Sequence, residues 1–590
     1  MDQYGTFLEG AGPRAEHTSE GSKPRHSRAY LAGVSALVLC FAFYSFHRRT
    51  EAADSPVGTL DPLKVSSTLQ TTLDSSEVPP NIFFVLVDDM GYNDVGFQST
   101  DLAYATPTLD RLANNGIILT NYYTSPSCTP ARAALMTGMY PHNVGMGCDG
   151  VGSFLINSKY GLPTGFQLLP EVLKARGYET HMVGKWNLGH YSESYLPHQR
   201  GFDTFLGYNG DQETYYTHHA FGVSPAYNTT FCDLMYAETT TGVGEHDCFS
   251  GNYSTDIYTQ RLLAVLDDRL SSSSPLFLYM ASQAVHAPLE EPPEMSYSSL
   301  QQSMLDSMQN SSGSWQRRAT YARMLMSLDD GVRQIMEKLD SLHQLEHTIV
   351  VVASDNGACP GEGGSNYPLR GTKFSQFEGG VRVPALVYSL NLSSSVRGTS
   401  FGGAFHVTDW LPTLASAAGA TEFIEESLDG VNLWGTIQGA DPVPSRDKII
   451  LHLDAWSYPY NSSDPAARAS EVDTSSLSAA VLVNNTWKII MGESVAKVYE
   501  PSQNCTGMSC IETGQPGLRL LFNLIDDPYE SNNLAETETA LVAEIESFVN
   551  ETLGGIATRP AWRNPDFDAY TTWVDSSYFV VPWNSSQTER

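Results

Sequence analysis

Two uninterrupted apolar runs, each closed by an acidic pair, restrict the folds open to this chain more than any other feature. Ile82–Val87 reads Ile-Phe-Phe-Val-Leu-Val and ends in Asp88-Asp89-Met90-Gly91. His347–Ser354 reads His-Thr-Ile-Val-Val-Val-Ala-Ser and ends in Asp355-Asn356-Gly357. Runs of strand length without polar alternation belong to parallel strands buried on both faces by helices. Between and around them the pattern alternates. Helical periodicity is expected over Thr108–Asn115, Phe166–Arg176, Asp256–Leu270 and Trp315–Leu342, and strands over Tyr178–Val183 and Leu276–Ala281. This predicts an α/β fold with a large, mostly parallel sheet flanked by helices, spanning residues 80–445. From residue 446 to 590 the pattern changes to the runs starting at Ile449, Ala479 and Leu518 and a closing helix over Glu538–Thr552. That stretch is expected to form a smaller α+β subdomain with an antiparallel sheet.

Ligands of such sheets bind beyond the carboxyl ends of the strands. Asp88, Asp89, Asp355 and Asn356 fall there, and His286 lies a few residues past the 276–281 strand. Oxygen donors of this kind, without sulfur or imidazole, suit Ca²⁺ or Mg²⁺ rather than zinc. Asp and Asn beside Gly also start turns for purely local reasons, so either pair alone would say little.

The segment Ser127-Cys128-Thr129-Pro130-Ala131-Arg132 supplies a third element. Pro126 and Pro130 break regular structure on either side of Cys128, and a helix is expected from Ala131 with Pro130 in its first turn. A side chain there faces unpaired backbone N–H groups, with Arg132 one turn beyond. Both favour an anionic ligand or an anionic thiol. Lys185 in Gly-Lys-Trp-Asn-Leu-Gly and Lys373, ahead of Glu378-Gly379-Gly380-Val381-Arg382, add two cations.

With 34 basic against 66 acidic residues the formal net charge is −32, and there is no long basic run. Nucleic acid is therefore excluded as a partner, whereas an anionic substrate in a locally positive pocket is not. Leu31–Phe46 is uncharged and is flanked by Arg28 and His47-Arg48-Arg49. Residues 29–47 are expected to be a signal anchor, the alternative being a cleaved signal peptide. Residues 1–28 read as a disordered cytoplasmic tail and 48–79 as a stalk.

Nine N-x-[ST] sequons follow the apolar run: Asn228, Asn252, Asn310, Asn391, Asn461, Asn484, Asn504, Asn550 and Asn584. They fit a lumenal or extracellular glycoprotein. Setting aside Cys40 and Cys128 leaves an even set of cysteines, suited to an oxidising compartment. Proximity pairs Cys232 with Cys248 and Cys505 with Cys510, leaving Cys148 and Cys359.

Together the motifs from Asn81 to the segment Leu521-Phe522-Asn523-Leu524…Asp527-Pro528-Tyr529-Glu530 resemble the type I sulfatases of the alkaline-phosphatase-like superfamily. The likeness is greatest to their arylsulfatase B (N-acetylgalactosamine-4-sulfatase) branch. The resemblance implies that Cys128 is the precursor of a formylglycine, put in place by the formylglycine-generating enzyme. It implies that Asp88, Asp89, Asp355, Asn356 and the modified residue 128 hold Ca²⁺. It also implies that Arg132, Lys185, His286 and Lys373 bind the sulfate ester or assist the leaving group, the substrate being a sulfated glycan or an aryl sulfate.

One position departs from the family pattern, which has His where this chain has Asn187. An amide accepts and donates hydrogen bonds but is no base at neutral pH. Attack on the ester is then expected to survive while sulfate release slows, unless His190, His181 or water substitutes. Two alternatives stand beside the sulfatase reading: a phosphonate or phosphate ester hydrolase of the same superfamily, and a membrane-tethered, catalytically weakened binder of sulfated glycans. Loops at Cys148–Tyr160 and Tyr208–Phe221 are expected to shape the substrate pocket.

Overall fold

The computed structural model describes residues 79–584 apart from 148–155, 221–229, 244–247, 249–250, 269–272, 310–313, 426, 445, 455–476, 493–517, 555–565, 567 and 577–578. The expected tail and anchor, and the stalk up to residue 78, lie outside the described residues. So do Cys148, Cys505 and Cys510, and the sequons at Asn228, Asn310, Asn461 and Asn504.

The first apolar run is strand β1 (Asn81–Val87), with every residue buried. In chain order follow β2 (Ile117–Leu119), β3 (Tyr122–Tyr123), β4 (Glu179–Lys185), β5 (Thr204–Tyr208), β6 (Met235–Glu238), β7 (Gly242–Val243) and β8 (Leu276–Ala281). Then come β9 (Thr348–Ser354), β10 (Ala385–Tyr388), β11 (Thr399–Phe401) and β12 (Phe405–His406). Ten of these form one sheet in the order β11-β2-β10-β9-β1-β8-β4-β5-β6-β7, and β12 pairs with β3 beside it. The run β9-β1-β8-β4-β5 is parallel throughout. Towards the two edges, β10 and β6 run against it. The sheet is thus parallel where it is deepest and mixed at its margins.

Strand β1 shows why its sequence lacks alternation. Ile82, Phe84 and Leu86 enter one hydrophobic core, and Phe83, Val85 and Val87 enter another on the opposite face. Burying each such side chain contributes about 1.5–3 kcal/mol. The principal helices are α1 (Pro107–Asn115), α2 (Cys128–Thr137), α3 (Leu169–Ala175), α4 (Ser254–Asp268), α5 (Ser299–Gln309) and α6 (Ser314–Ser341). Of these, α1, α4, α5 and α6 cover the face of Phe83, while α2, α3 and the helix Trp410–Ala417 cover the face of Phe84. Helix α3 starts later than its periodicity predicts, at Leu169. Glu171 caps it there by accepting the Leu168 backbone N–H at 2.6 Å.

The C-terminal part carries a separate antiparallel sheet of β13 (Lys448–Asp454), β14 (Ser478–Val483), β15 (Trp487–Met491) and β16 (Arg519–Asn523), in that order. The apolar run that starts at Ala479 is a hairpin, not one strand. Asn484 and Asn485 both take φ near +50° (52° and 53°) at its tip, the conformation that two-residue hairpin turns require. Helix Thr539–Leu553 packs on this sheet. Tyr123, Tyr140, Phe377 and Val381 from the larger unit share the same core, which welds the two sheets together.

The Cys232–Cys248 disulfide is present, with Cα atoms 5.6 Å apart. Among the described residues Cys359 has no disulfide partner, its expected partner Cys148 lying outside them. No helix among the described residues is long and apolar enough to cross a membrane.

Candidate active site

Four neighbouring parallel strands aim their carboxyl ends at one place. Register sets Val87 beside Ser354, so Asp88-Asp89 after β1 stand next to Asp355-Asn356 after β9. On the other side β8 leads to His286, and β4 ends on Lys185. The Asp88 backbone bonds both ends of the Ala284-Val285 peptide, with Asp88 N donating to Ala284 O at 3.2 Å and Val285 N to Asp88 O at 3.0 Å. This fixes the His286 loop against the end of β1.

Helix α2 brings the fifth part. Ser127 is extended, Cys128 is the first helical residue, and Gly138 ends the helix at φ 67°. The segment before it is tied down by Thr124, whose hydroxyl donates to the Asp355 carbonyl at 2.7 Å. Cys128 is fully buried, with Sγ 3.4 Å from Asp88 Oδ1 and 4.0 Å from Asp89 Oδ1. The helix start favours an anionic side chain or an anionic ligand, and the buried thiol does not supply the first of these. Burial first, and the Asp88 charge second, push the Cys128 thiol well above its ordinary value, outweighing Lys185 and Lys373. As a thiol it is a poor nucleophile.

Three cations close the cluster. Arg132 donates to Asp355 Oδ2 from Nε at 3.1 Å and from a terminal nitrogen at 2.7 Å, and to the Lys185 carbonyl at 3.0 Å. Lys185 Nζ lies 2.7 Å from Asp88 Oδ2, and Lys373 Nζ lies 2.7 Å from Asp89 Oδ1 and 2.9 Å from Asp89 Oδ2. Burial alone would raise the Asp88 carboxyl, but Lys185, His286, Arg132 and Lys373 outweigh it and hold Asp88 far below the usual range. Asp355 goes the other way, up to about 7, because burial and the Asp88 charge exceed the pull of Arg132.

His286 Nδ1 donates to the Ala287 carbonyl at 2.7 Å, which leaves Nε2 facing Asp89 Oδ2 at 3.6 Å. Burial and then Lys373 push this imidazole down to about 4. Lys373 is held by Phe374, whose backbone N–H donates to Pro126 O at 2.7 Å while its own φ is 69°. A left-handed aromatic residue costs on the order of 1–3 kcal/mol and persists only where its surroundings enforce it.

Asp88, Asp89, Cys128 and His286 each offer a ligand atom within 4.8 Å of one another. Asn356 donates to Asp89 Oδ1 at 2.6 Å from its amide nitrogen, while its buried Oδ1 has no hydrogen-bond partner among the described residues. A buried carbonyl oxygen left open beside carboxylates is what a hard cation completes. The residues present therefore fit a bound cation, with Asp88, Asp89, Cys128 and His286 converging and Asn356 Oδ1 beside them.

Asn187 stands at φ 56° and accepts the Thr129 hydroxyl on Oδ1 at 2.6 Å, leaving its buried amide nitrogen without a partner among the described residues. The two candidate substitute bases, His190 and His181, have contacts of their own. His190 is buried, pushed down to about 4 by burial, and packed on Trp573 and Trp583 with ring centroids at 6.3 and 5.4 Å. His181 sits four residues back along β4, roughly 13 Å from Lys185 along the strand, and pairs with Thr204 Oγ1 at 2.8 Å.

Sequence reasoning missed several supporting groups. Ser354 accepts the Met90 N–H and donates to the Asn356 carbonyl, and its place just before Asp355 was a readable signal. Thr129 and Tyr321, whose hydroxyl donates to the Asp89 carbonyl at 3.0 Å, gave no local signal.

Comparison with known proteins follows the same lines. The family described as Sulfatase matches residues 80–420. Mouse arylsulfatase J is 33% identical over 523 residues, covering 87% of this chain and 82% of that protein. Human N-acetylgalactosamine-6-sulfatase is 33% identical over 371 residues, covering 61% of this chain and 66% of that protein. Among solved structures, Ps i-CgsB in complex with a neocarrahexaose superposes with a TM-score of 0.62 at 26% identity, covering 85% of this chain and 98% of that one.

Proposed function

The chain belongs to the sulfatase family and is a sulfuric ester hydrolase; on that premise we propose that it cleaves the sulfate ester of a sulfated sugar, using a formylglycine made from Cys128 and a bound Ca²⁺. The observation that carries this reading is the setting of Cys128. It is a buried, neutral thiol in van der Waals reach of Asp88 and Asp89, with Arg132, Lys185 and Lys373 around it. A thiol so placed is chemically idle, whereas a hydrated aldehyde would offer a hydroxyl nucleophile in the same position. Ca²⁺ held by Asp88, Asp89, Asp355 and Asn356 together with residue 128 would supply Lewis-acid charge at that oxygen.

The chain's own residues do the rest. The carboxylates of Asp88, Asp89 and Asp355 face the cations of Arg132, Lys185 and Lys373, so a divalent ion leaves the pocket with surplus positive charge. That surplus draws an anionic ester into a protein whose net charge is −32. Lys185 and Lys373 offset charge on the sulfuryl oxygens as it develops, and Arg132 orients Asp355 and the end of β4. His286 exposes Nε2, with Nδ1 fixed on Ala287, and with Lys373 serves proton transfer to the departing alcohol oxygen.

Asn187 cannot accept the proton that sulfate release requires; His181 lies four residues back along β4, and burial pushes the His190 imidazole down to about 4. A burst of product followed by a slow steady rate is the expected kinetic form. The relative named for N-acetylgalactosamine 6-sulfate and the neighbour solved with a neocarrahexaose support a sugar substrate. The Cys232–Cys248 disulfide supports maturation in an oxidising, secretory compartment. The described sequons Asn252, Asn391, Asn484 and Asn550 are exposed, which supports N-glycosylation. The apolar segment 29–47 would tether the enzyme to a membrane.

A mass spectrum of the peptide bearing Cys128, from a host that makes formylglycine, tests the reading together with rates on aryl sulfate and aryl phosphate. An aldehyde in place of the thiol, with sulfate cleaved faster than phosphate, is the expected result. An intact thiol in active enzyme would overturn the nucleophile. Faster phosphate hydrolysis would favour the phosphate or phosphonate ester hydrolase.

A further inference from the structure

His286 stands on a loop and not on a strand, so the place of its imidazole depends on what holds the loop's backbone. Strand β8 stops at Ala281, and Gln283 to His286 form a turn in which the Gln283 carbonyl accepts the His286 N–H at 2.9 Å. A first hold on this turn comes from the end of β1, through the Asp88 bonds to the Ala284-Val285 peptide. A second comes from one side chain, Tyr215. Its hydroxyl donates to the His286 carbonyl at 2.8 Å and to the Gln283 carbonyl at 3.0 Å. The phenol thus bonds the turn at its first residue and at its last.

Tyr215 is itself fixed at several points. It is fully buried, and its ring stacks on Tyr253 with centroids 5.0 Å apart. Its backbone N–H donates to the Glu290 carboxylate at 2.5 Å. Its carbonyl accepts the backbone N–H and the hydroxyl of Ser254, the first residue of α4, at 2.9 and 3.0 Å. Beside it, the Gln283 side chain donates to the Glu213 carbonyl at 2.6 Å. Among the described residues the Tyr215 hydroxyl hydrogen-bonds to backbone only.

We propose that Tyr215 is a positioning residue for His286: by holding both carbonyls of the turn, its hydroxyl sets where Nε2 stands for proton transfer to the departing oxygen. This inference rests on the sulfate-ester reading above and on the role that reading gives His286. It does not need Tyr215 to touch the substrate. Proton transfer depends steeply on distance, and a displacement of about 1 Å can cost on the order of a hundredfold. Without the hydroxyl, the Gln283 carbonyl keeps the His286 N–H, but the His286 carbonyl loses the donor it has here. A departing oxygen needs the proton in proportion to its basicity. The defect therefore carries a signature that loss of folded protein lacks, because it grows as the leaving group becomes more basic.

The test measures kcat/KM for phenol release from phenyl sulfate and from 4-nitrophenyl sulfate, whose phenolate is far less basic. This parameter reports departure of the phenol even where later sulfate release limits kcat. Wild type, Tyr215→Phe, His286→Ala and the double variant are compared, each with residue 128 verified as converted and with thermal unfolding recorded. Tyr215→Phe keeps the ring that stacks on Tyr253, and the ratio of the two esters on one preparation does not depend on how much of it is folded. The variant is expected to lose about ten- to hundredfold on phenyl sulfate and about threefold or less on nitrophenyl sulfate. In the His286→Ala background the same substitution should change either rate by about twofold at most, because the hydroxyl acts through the imidazole. A Tyr215→Phe enzyme with the wild-type ratio overturns the assignment, as does an effect that persists at full size without His286. A His286→Ala enzyme with the wild-type ratio overturns it too, while leaving the sulfatase reading intact. Absence of phenol release from either ester by wild type would instead defeat the reading on which it rests.

Discussion

Two buried charge clusters lie five residues apart along one segment, and they are built on opposite terms. Lys373 faces Asp89 in the catalytic cluster, whereas Glu378 belongs to a second cluster with Lys488 on β15 and Glu530. In the second cluster Lys488 Nζ lies 2.9 Å from both carboxylates. Glu530 accepts the Glu378 backbone N–H at 2.7 Å, and Glu378 accepts the Tyr123 hydroxyl at 3.1 Å. All three charged side chains are buried, and their partners come from the protein itself. The catalytic cluster is as deeply buried, yet it leaves Asn356 Oδ1 and the Asn187 amide nitrogen with neither a hydrogen-bond nor a charge partner among the described residues, whereas Glu530 Oε1, which also takes no hydrogen bond, sits in its ion pair with Lys488. Charge buried for structure closes on itself, and charge buried for chemistry keeps capacity for a guest.

Substitutions on the two sides should therefore fail in different ways. Cys128→Ala is expected to remove at least about 10⁴-fold of turnover with little change in unfolding temperature. Sulfate release and calorimetry on the same preparation check this, and more than a hundredth of wild-type activity would refute a residue-128 nucleophile. Lys488→Met should act the other way. It strands two buried carboxylates and costs about 3–5 kcal/mol of stability, measured by denaturant titration. If its surviving folded fraction has wild-type kcat, the second cluster is structural as argued.

Lys373→Ala should lower kcat by about 10²–10³-fold, because it removes charge aimed at the sulfuryl oxygens, and should cost less stability than Lys488→Met, because it strands one buried carboxylate and not two. Equal losses of stability from Lys373→Ala and Lys488→Met would erase the contrast. A smaller effect is expected from Asn187→His, about a tenfold faster steady rate with an unchanged burst. No change, in an enzyme that already turns over without a burst, would show that release does not need a base at this position.

The smallest effect concerns pH. Burial, with Glu378 adding to it, pushes the Glu530 carboxyl up to about 7 against the pull of Lys488. The folded chain then holds this proton more tightly than the unfolded chain, where such a group titrates near 4.3. The stability it contributes is present below about 4.3 and is lost as pH rises towards 7. Unfolding temperature measured from pH 5 to 8 should fall more steeply in wild type than in Glu530→Gln.

How much of this could be read from the sequence follows from the range of the forces involved. That Asp88, Asp89, Asp355 and Asn356 meet was legible because uninterrupted apolar runs of strand length point to doubly buried strands, whose ends lie together. Cys128, Arg132, Lys185, His286 and Lys373 were legible from short motifs. The insertion of β8 between β1 and β4, and the reversal of β10 and β6, left no local trace. The thiol's state was not legible, because helix-end geometry is local, whereas the burial and the Asp88 charge that act on it are assembled from distant segments. His190 was open as a substitute base in the sequence. Trp573 and Trp583, almost four hundred residues later, decided its fate.

That last contact, with the packing around α2, also imposes a timetable. Cys128 is wholly inaccessible in the finished fold, so any enzyme that oxidises it must reach it before the chain closes. The cover is made late. Ile450–Leu453 of β13 lie near Ser125 and Pro130, and Ile450 donates to the Tyr140 hydroxyl at 3.3 Å. Trp573 and Trp583 complete the shell over His190. At ribosomal rates of about 5–20 residues per second, the last of these segments follows Cys128 by roughly half a minute to a minute and a half. The order of the chain thus sets an interval in which Ser125, Pro130 and His190 exist without the segments that later pack against them.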